Sequence, residues 1–496
     1  MNNSMIRYIL GQVIRLEGLL MLIPCMISFL YKEHEGFAFL IVIAASLVIG
    51  TLMTIKKPEN HTIYLKEGCV TTAFSWLLLS IFGCLPFVIS GEIPSFVNAL
   101  FETISGFTTT GASILTDVES MSKGMMFWRC FTHWIGGMGV LVFLLAVIPM
   151  NSNSGYNMNL MKAESPGPSV GKLVPKVKYT ARILYVIYLG MTLVEVVFLL
   201  LGRMHLYDAF CTSFATAGTG GFGIKNDSLA GYSPYIQWVV TIFMMLFGIN
   251  FNFYYFLFFR QIKRALSMEE VKTYLLIIVG AVAIIFVSLT RTMTNVWDAL
   301  RAAAFQVSSI ITTTGFATAD FDTWSQVCKV VLVLIMFIGA CAGSTGGGIK
   351  VSRIVIMFKT VVKEFGSYFH PKSIKKIKMD GKPVEHEVVR AVNVFFISII
   401  GIFTISVLLV SIEGRDLVTS FTAVAACLNN IGPGLAQVGP TSNFSQLSVF
   451  TKSVLMFDML AGRLELFPML LIFSPKIYKD MVISGLRRRK LRREAR

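Results

Sequence analysis

Four short segments of this sequence end in glycine runs whose backbone is suited to binding a metal cation. They are FETISGFTTTGAS at 101–113, CTSFATAGTGGFG at 211–223, FQVSSIITTTGFA at 305–317 and TAVAACLNNIGPG at 422–434. The glycines at the equivalent position lie 110, 94 and 117 residues apart, and they are Gly111, Gly221, Gly315 and Gly432. Because each segment lies between long apolar stretches, this self-similarity indicates a repeat architecture.

Glycine runs of this kind can turn several backbone carbonyl oxygens onto one axis, because glycine reaches backbone angles denied to other residues. A ring of such oxygens can replace the hydration shell of a cation. A helix of about 12 residues, the length of the segment before each run, rises only about 18 Å and cannot cross a membrane. Non-helical backbone at membrane depth must be buried in protein or line a water-filled cavity. We therefore expect four re-entrant segments around one axis, each directing the negative end of its helix dipole towards a central cation.

The rest of the chain has the composition of a membrane protein. Of its 496 residues, 54% are hydrophobic and only 15% are charged, whereas soluble proteins carry about 25% charged residues. The apolar residues form blocks long enough to cross a bilayer, which requires about 20 residues. The sequence therefore predicts an all-α polytopic membrane protein.

The order of the apolar blocks predicts five regions. Residues 1–60 contain two transmembrane helices, at 6–31 and 37–53, that precede the repeated part. The other regions are four membrane–pore–membrane repeats in pseudo-fourfold arrangement around one pore, at 61–155, 156–265, 266–380 and 381–496. The first spans of the repeats are predicted at 70–89, 183–201, 274–289 and 388–412, and the short segments at 94–107, 205–215, 296–311 and 418–428. The return spans are predicted at 125–150, at 235–259, from 327 onwards and at 449–473.

The formal net charge of +16 suggests an anionic partner. The basic residues, however, concentrate in alternate loops, as the positive-inside bias requires. We therefore predict no nucleic acid partner, and we place the N terminus, the basic loops and the basic tail in the cytoplasm. The segment 372–382 and the tail 487–496 are basic enough to contact anionic lipid headgroups. They are equally suited to docking an acidic partner.

Taken together, the motifs resemble those of the Trk/Ktr/HKT superfamily of potassium transporters, and within it the TrkH type. SGFTTTGAS, TGGFG, TTTGFAT and LNNIGPG are similar to the four filter sequences of that family. HWIGGMGV at 133–140, GINF at 248–251, AGSTGGGIKV at 342–351 and AGRLELF at 461–467 are similar to its other motifs. The resemblance covers nearly the whole chain. It implies potassium uptake through a channel-like pore, with potassium as the substrate and no organic cofactor in this chain.

The resemblance also implies which residues form the potassium filter. They are Thr109, Thr110 and Gly111; Thr219, Gly220 and Gly221; Thr313, Thr314 and Gly315; and Asn430, Ile431 and Gly432. In relatives that favour sodium a serine replaces the first-repeat glycine, so the presence of Gly111 favours potassium. The fourth run, NNIGPG, departs most from the TTTG form, and unequal ion contact from the four repeats remains open. The alternative function is a sodium-permeable or ion-coupled cation symporter of the same fold.

A small-residue segment at 340–348 interrupts the third return span. Glycine costs about 1 kcal/mol relative to alanine inside a helix, so a break is expected there. The resemblance implies an intramembrane loop that obstructs the pore, and the alternative is a packing seam of small residues between helices. The predicted gate residues are Ala340, Cys341, Ala342, Gly343, Ser344, Thr345, Gly346, Gly347, Gly348, Lys350 and Arg463.

Arg463 belongs to this set because it lies within the fourth return span. A charge at that depth costs about 2.5–3.5 kcal/mol on insertion scales and suggests a function. One interpretation is an electrostatic barrier below the filter, as the resemblance implies. The other is a structural ion pair with Asp458, Glu465 or Glu195, and both can hold.

Two other classes of function are less well supported. An intramembrane enzyme requires a nucleophile and a base, or metal ligands, at membrane depth. His133 is the only histidine in a span core, and no GxSxG or HExxH motif accompanies it. A receptor or scaffold would not explain four glycine runs. The resemblance further implies a homodimer in a bacterial-type inner membrane, regulated by a TrkA-like cytosolic nucleotide-binding ring supplied by another chain.

Overall fold

A computed structural model of the chain describes residues 1–60, 62–139, 177–370, 376–477 and 479. Almost all regular structure in these residues is helical, as predicted. Among the described residues, six helical segments are long and apolar enough to cross a membrane, with residues 3–30 counted as one segment. Their outward surfaces expose large apolar side chains, for example Leu276 at 72% and Ile397 at 72%. Such surfaces are suited to contact with lipid acyl chains.

The helices follow one another in an order that recurs four times after an N-terminal pair. In chain order they are α1 Asn3–Leu20, α2 Leu22–Leu30, α3 Gly36–Thr54, α4 Leu65–Ser90, α5 Phe96–Phe107, α6 Lys123–Gly137, α7 Val177–Leu201, α8 Leu206–Ala217, α9 Pro234–Phe247, α10 Phe251–Phe258, α11 Ile262–Leu266, α12 Glu269–Leu289, α13 Val296–Ile311, α14 Gln326–Met336, α15 Val351–Phe369, α16 His386–Ser411, α17 Leu417–Leu428, α18 Val449–Arg463 and α19 Phe467–Ile472. A two-stranded antiparallel hairpin, β1 Lys378–Met379 and β2 Lys382–Pro383, precedes α16.

The N-terminal helices pack closely through small residues. A Cβ atom added to Gly11 of α1 would lie 2.9 Å from the carbonyl oxygen of Gly50 in α3. Real Cβ atoms do not approach oxygen so closely, so the two backbones meet only because both residues are glycine. Small-residue contacts of this kind are typical of helix pairs in membranes.

The short helices α5, α8, α13 and α17 are called pore helices 1 to 4. Their bounds agree with the predicted short segments to within a few residues, and pore helix 3 begins and ends where it was expected. Side-chain caps fix two of the N-terminal ends: Asn295 accepts from Trp297 N at 3.0 Å, and Asp416 accepts from Thr419 N at 2.9 Å. Such caps satisfy backbone donors that a helix start leaves free. The starts of pore helices 3 and 4 are therefore fixed by their own side-chain caps.

Two return spans that the sequence predicts as continuous are broken. The span predicted at 235–259 is bent by 91° between α9 and α10. The bend lies at Gly248, where an added Cβ would come within 2.4 Å of the Tyr274 hydroxyl oxygen. The span predicted at 449–473 is interrupted between α18 and α19, where Glu465 and Leu466 have φ of 53° and 69°. Left-handed residues cannot continue a right-handed helix.

In the other two return spans a helix also ends inside the predicted range. In the third unit, the chain between α14 and α15 is non-helical, which includes the segment 340–348. In the first unit, α6 ends at Gly137, and residues 140–150 of the predicted span lie outside the described residues. All four of the sequence motifs that accompany the glycine runs lie at these ends and breaks.

Candidate functional site

The three residues of each glycine run adopt the same backbone conformation. We call these runs 1 to 4: 109–111, 219–221, 313–315 and 430–432. The first and third residue of every run is left-handed, with φ of 55° and 79° in run 1, 55° and 77° in run 2, 58° and 87° in run 3, and 55° and 98° in run 4. A positive φ is rare for a β-branched residue such as threonine and marks a constrained position. Run 4 shares the geometry although its sequence differs most.

The four runs close into a ring. An added Cβ on Gly111 would lie 2.0 Å from the carbonyl oxygen of Gly220 in run 2. The equivalent distances are 2.0 Å from Gly221 to Thr314, 2.1 Å from Gly315 to Ile431, and 2.7 Å from Gly432 back to Thr110. Each run thus touches the next in the order 1, 2, 3, 4, 1. No larger residue fits at the third position without a shift of the backbone.

The backbone donors of the runs point away from this ring. Middle-position N–H groups donate to the preceding pore helix, from Thr110 to Ser105 O at 2.9 Å and from Thr314 to Ser309 O at 2.8 Å. The same bond is made by Gly220 to Ala215 O and by Ile431 to Ala426 O, each at 2.8 Å. Within the described part of the chain, the carbonyl oxygens at the first two positions of the runs accept no hydrogen bond. Buried carbonyl groups normally find partners, and oxygens that lack one can replace the water around a cation.

The twelve predicted filter residues therefore lie together in one structure, which we call the carbonyl ring. On one side of it, a cavity of about 220 Å³ is lined by the third-position glycines of all four runs. Acidic side chains near this cavity bind neighbouring loops. Asp117 accepts from the Asn226 side-chain amide at 2.8 Å, and this bond lowers the pKa of Asp117 below its usual value. The carboxylate is accordingly ionised at neutral pH.

The segment 340–348 lies against the opposite side of the carbonyl ring. Gly347 N donates to Thr313 Oγ1 in run 3 at 2.6 Å. An added Cβ on Gly346 would lie 3.0 Å from the carbonyl oxygen of Thr312, and one on Gly347 would lie 2.8 Å from that of Asn429. The glycines therefore permit direct contact between this loop and the C-terminal ends of pore helices 3 and 4.

Two buried ionisable residues fasten the loop from within the third unit. Lys350 Nζ donates to the carbonyl oxygens of Gly346 and Gly347. Glu270 Oε1 accepts from Ala342 N at 2.7 Å and from Ser352 N at 3.0 Å, so that one carboxylate oxygen binds both ends of the loop. The loop is closed at its base by a bond from Gly339 N to Ile349 O at 2.8 Å.

The bend in the second unit also binds the loop. Cys341 N donates to Gly248 O at 3.0 Å, and Phe251 N donates to Gly343 O at 3.0 Å. Thr345 Oγ1 donates to Phe247 O at 3.3 Å. The broken ends of α9 and α10 thereby find partners in the loop, as buried helix ends require.

Arg463, at the end of α18, connects the end of α6 to the loop at 340–348. Its guanidinium donates to Thr345 O at 2.9 Å, to Gly137 O at 2.7 Å and to Gly136 O. Of the residues predicted as its ion-pair partners, Glu465 pairs with Arg353, and Asp458 accepts from Ser406 at 2.7 Å. Five donors in a planar fork suit arginine to binding several carbonyl groups at once.

The four breaks thus lie together on one side of the carbonyl ring, where Arg463 joins the end of α6 to the loop and the loop joins the bend between α9 and α10. We call this group the break ring, and it consists of Gly136 and Gly137, residues 248–250, residues 337–350 and residues 463–466. All the predicted gate residues lie in it. The two rings share the bond between Gly347 and Thr313.

Sequence comparison decides the family. The sequence model of the TrkH family, described as cation transport protein, matches residues 35–484. The chain belongs to the TrkH family. It is 33% identical over 489 residues to the Trk system potassium uptake protein TrkH of Salmonella typhimurium, which covers 95% of this chain and 98% of that protein. It is also 33% identical to the Trk system potassium uptake protein TrkG of Escherichia coli, with 96% and 99% covered.

A solved structure of the TrkH family has the same fold. The crystal structure of the potassium transporter TrkH from Vibrio parahaemolyticus matches with a TM-score of 0.85 at 31% identity, covering 96% of this chain and 99% of that one. These matches confirm the predicted TrkH type, the all-α multi-pass architecture and a transporter rather than an enzyme.

Sequence reasoning missed several residues that shape the site. Glu270 follows a basic loop and reads as an ordinary acid in the first turn of a helix. Glu102 and Arg129, which form an ion pair at 2.7 Å, lie 27 positions apart in apolar sequence. In the sequence His133 is a lone histidine within a predicted span, although its ring bridges Gly106 of the first repeat and Phe222 of the second. The available signal was a charged residue at predicted membrane depth, with Glu102 in the short segment 94–107 and Arg129 in the return span 125–150.

Proposed function

We propose that the chain mediates potassium uptake across a bacterial-type inner membrane, with ions moving down their electrochemical gradient through the carbonyl ring. The observation that carries this proposal is the closed ring of four runs, whose first- and second-position carbonyl oxygens accept no hydrogen bond from the described residues. Oxygens of this kind can take the place of water around a dehydrated cation. The relatives indicate the ion, since the TrkH protein of Salmonella typhimurium and the TrkG protein of Escherichia coli are potassium uptake proteins.

All four repeats contribute to the proposed filter, including the divergent fourth. Asn430 has φ of 55°, as its threonine counterparts do. Its side-chain amide donates to Thr110 Oγ1 at 3.0 Å and so braces run 1. The substitution of asparagine for threonine therefore retains the carbonyl direction and adds a contact between neighbouring runs.

The loop at 340–348 is proposed to be the gate, and Arg463 its electrostatic barrier. The loop lies directly below the carbonyl ring, where it obstructs an ion leaving the filter. Arg463 and Lys350 bring positive charge to the same depth, which opposes the passage of a cation. Opening requires the loop to leave Thr313 and the bonds from Arg463 to be broken.

The orientation of the chain in the membrane and its partners are proposed from the positions of its basic residues. Basic loops place the N terminus and the tail in the cytoplasm. The tail and the segment 372–382 are suited to lipid headgroups and to a TrkA-like nucleotide-binding ring, with a homodimer as the assembled unit. The residues after 479 and those at 371–375 lie outside the described part of the chain.

Ion flux into liposomes tests the function. Purified protein is reconstituted, and uptake of potassium, rubidium and sodium tracers is measured against protein-free vesicles. Gly111→Ser should raise the share of sodium in the flux, because an added side chain at φ of 79° displaces the neighbouring carbonyl of Gly220. Gly91→Ser is the control, since Gly91 has φ of 80° and open space around it.

The result can contradict the proposal at two levels. Absence of potassium flux from folded protein, with its cytosolic partner supplied, would refute potassium uptake. A sodium share that Gly111→Ser leaves at the level of the Gly91→Ser control would refute the placement of the filter.

A further inference from the structure

A buried ion pair lies behind the carbonyl ring at the junction of runs 1 and 2. Arg129 of α6 donates through Nε to Glu102 Oε1 of pore helix 1 at 2.7 Å, and the two side chains are 2% and 0% exposed. Removing two charges from water is costly, and buried pairs are poor sources of stability compared with apolar residues of similar volume. A contribution to folding stability therefore does not explain why a charged pair occupies this position.

The pair binds the backbone on both sides of the junction. Glu102 accepts from Ile114 N at 2.9 Å and from Ser113 Oγ at 2.9 Å, directly after run 1. Arg129 donates through Nη1 to Gly223 O at 2.9 Å, two residues after run 2. Its guanidinium also lies 3.6 Å from the ring centroid of Phe222. One ion pair thus fixes the exit of run 1 relative to the exit of run 2.

His133 makes a second connection one helical turn further along α6. Its Nδ1 lies 2.7 Å from Gly106 O in pore helix 1, and its Nε2 accepts from Phe222 N at 3.2 Å. Because Nε2 accepts, the ring is neutral and its proton is on Nδ1, which donates to Gly106. Residues four apart on a helix face the same way, so Arg129 and His133 act on the same junction.

The other junctions of the described carbonyl ring are built differently. At the position of Glu102, nine residues before the third-position glycine, repeats 2, 3 and 4 carry Thr212, Gln306 and Ala423. Runs 2 and 3 are joined by bonds of the exit loops, from Leu229 N to Ala317 O at 3.1 Å. Runs 4 and 1 are joined by a bond from Phe444 N to Ser113 O at 2.8 Å. Of the three junctions described so far, only the junction of runs 1 and 2 contains a fully buried ion pair among the described residues.

We infer that Arg129 and Glu102 are positioning residues for ion selectivity: they set the separation of runs 1 and 2 and hence the size of the carbonyl ring. This inference rests on the proposed function of that ring. Potassium and sodium differ in the distance at which oxygens replace their hydration shells, so a ring with a loosened junction discriminates less well. The pair touches no ion and acts only through the backbone it holds.

Three variants weaken the junction by different means. Glu102→Gln keeps the shape but removes the charge and presents an amide donor or a weaker acceptor to Arg129 and Ile114. Arg129→Lys keeps the charge but loses the fork that reaches Gly223 and Ser113. The double variant Glu102→Leu with Arg129→Met replaces both partners by apolar residues, which often leaves stability unchanged, and keeps the test valid if the single variants do not fold.

The measured quantity is the ratio of sodium to potassium tracer uptake in proteoliposomes. The ratio should rise about threefold to tenfold in each variant, and tenfold corresponds to about 1.4 kcal/mol of differential ion stabilisation. The control is Arg353→Met with Glu465→Leu, which removes a second buried ion pair, between α15 and the break ring. The control should change total flux but leave the ratio unaltered.

The outcomes separate this inference from the filter proposal. If the ratio stays constant in all three variants while Gly111→Ser raises it, the inference is overturned and the filter stands. If Gly111→Ser also leaves the ratio constant, both are overturned. A ratio that rises equally in the Arg353 and Glu465 control would also overturn the inference, because any lost buried pair would then suffice.

Discussion

The carbonyl ring and the break ring are built from the same four repeats, yet they differ in symmetry. In the carbonyl ring every run has left-handed residues at the first and third positions. In the break ring one helix stops at Gly137, one bends by 91°, one opens into a loop, and one turns at two left-handed residues. A dehydrated ion on an axis needs similar oxygens on all sides, which keeps the first ring regular. The proposed gate needs one element that moves against others that stay, and the irregular second ring is suited to that.

The two rings also differ in what holds them. Each run of the carbonyl ring is anchored to its own pore helix, as in the bond from Thr110 N to Ser105 O. The loop of the break ring is fastened within the third repeat by Lys350 and Glu270, and the break ring is also held by hydrogen bonds between repeats, such as those from Arg463 to Gly137 and Thr345. Opening the break ring therefore separates repeats from one another and leaves the anchors of the carbonyl ring intact.

The largest effect is expected for Gly221→Ala. The left-handed conformation costs a residue with a Cβ about 1–2 kcal/mol, and the added atom would also overlap the carbonyl oxygen of Thr314 at 2.0 Å. We expect potassium flux to fall roughly 100-fold, since 1.4 kcal/mol corresponds to tenfold. Gly414→Ala is the control, because Gly414 has φ of 77° with nothing within 4 Å. Equal flux in the two variants would contradict a closed carbonyl ring.

Deletion of residues 340–348 should have the next largest effect, in the opposite direction. Gly339 N already donates a hydrogen bond to Ile349 O at 2.8 Å. The two ends of the deletion therefore lie close together, and the shortened chain can close with little distortion. Flux should rise roughly tenfold or more, because the several bonds that keep the loop closed, each worth about 0.5–1.5 kcal/mol, are removed together. Tracer flux is compared with that of the full chain after circular dichroism has shown equal helix content. Equal or lower flux would contradict the gate.

Two variants of Arg463 separate the effect of its charge on flux from the effect of its hydrogen bonds. Arg463→Ala removes both and should raise flux by about fivefold to tenfold, because several bonds of about 0.5–1.5 kcal/mol hold the break ring closed. Arg463→Lys keeps the positive charge but loses the fork. Low flux in the lysine variant would identify the charge as the barrier, whereas high flux would identify the bonds to Gly137 and Thr345. Unchanged flux in both folded variants would exclude Arg463 from gating.

The smallest effect should come from the bond that joins the two rings. Thr313→Val removes the hydroxyl group that accepts from Gly347 N. The ratio of open to closed loop should rise by about twofold to tenfold, the effect of one net hydrogen bond. Thr109→Val is a matched control at the same position of run 1, where Oγ1 has no hydrogen-bond partner among the described residues. Single-channel open times report the shift. Equal open times in both variants would show that the rings act independently.

Much of the carbonyl ring could be predicted from sequence because its constraints are local. A glycine at the third position and a short apolar helix before it are both visible in the residues, and pore helix 3 was placed at its observed bounds. The bend at Gly248 and the break at Leu466 were missed because a bent apolar span has the same composition as a straight one. The roles of Glu270 and Arg129 depend on residues 72 and 94 positions away, and such distant contacts leave no local pattern.

The hydroxyl of Thr313 has a thermodynamic consequence for regulation. It belongs to the ion-binding ring and also receives the loop through Gly347 N. Any ion that favours one orientation of that hydroxyl must favour one loop position by the same free energy, and the loop must in turn change the affinity for that ion. With the proposed filter and gate, ion occupancy and gating are thus linked reciprocally through one side chain, so that the transported species would act as an effector of its own release.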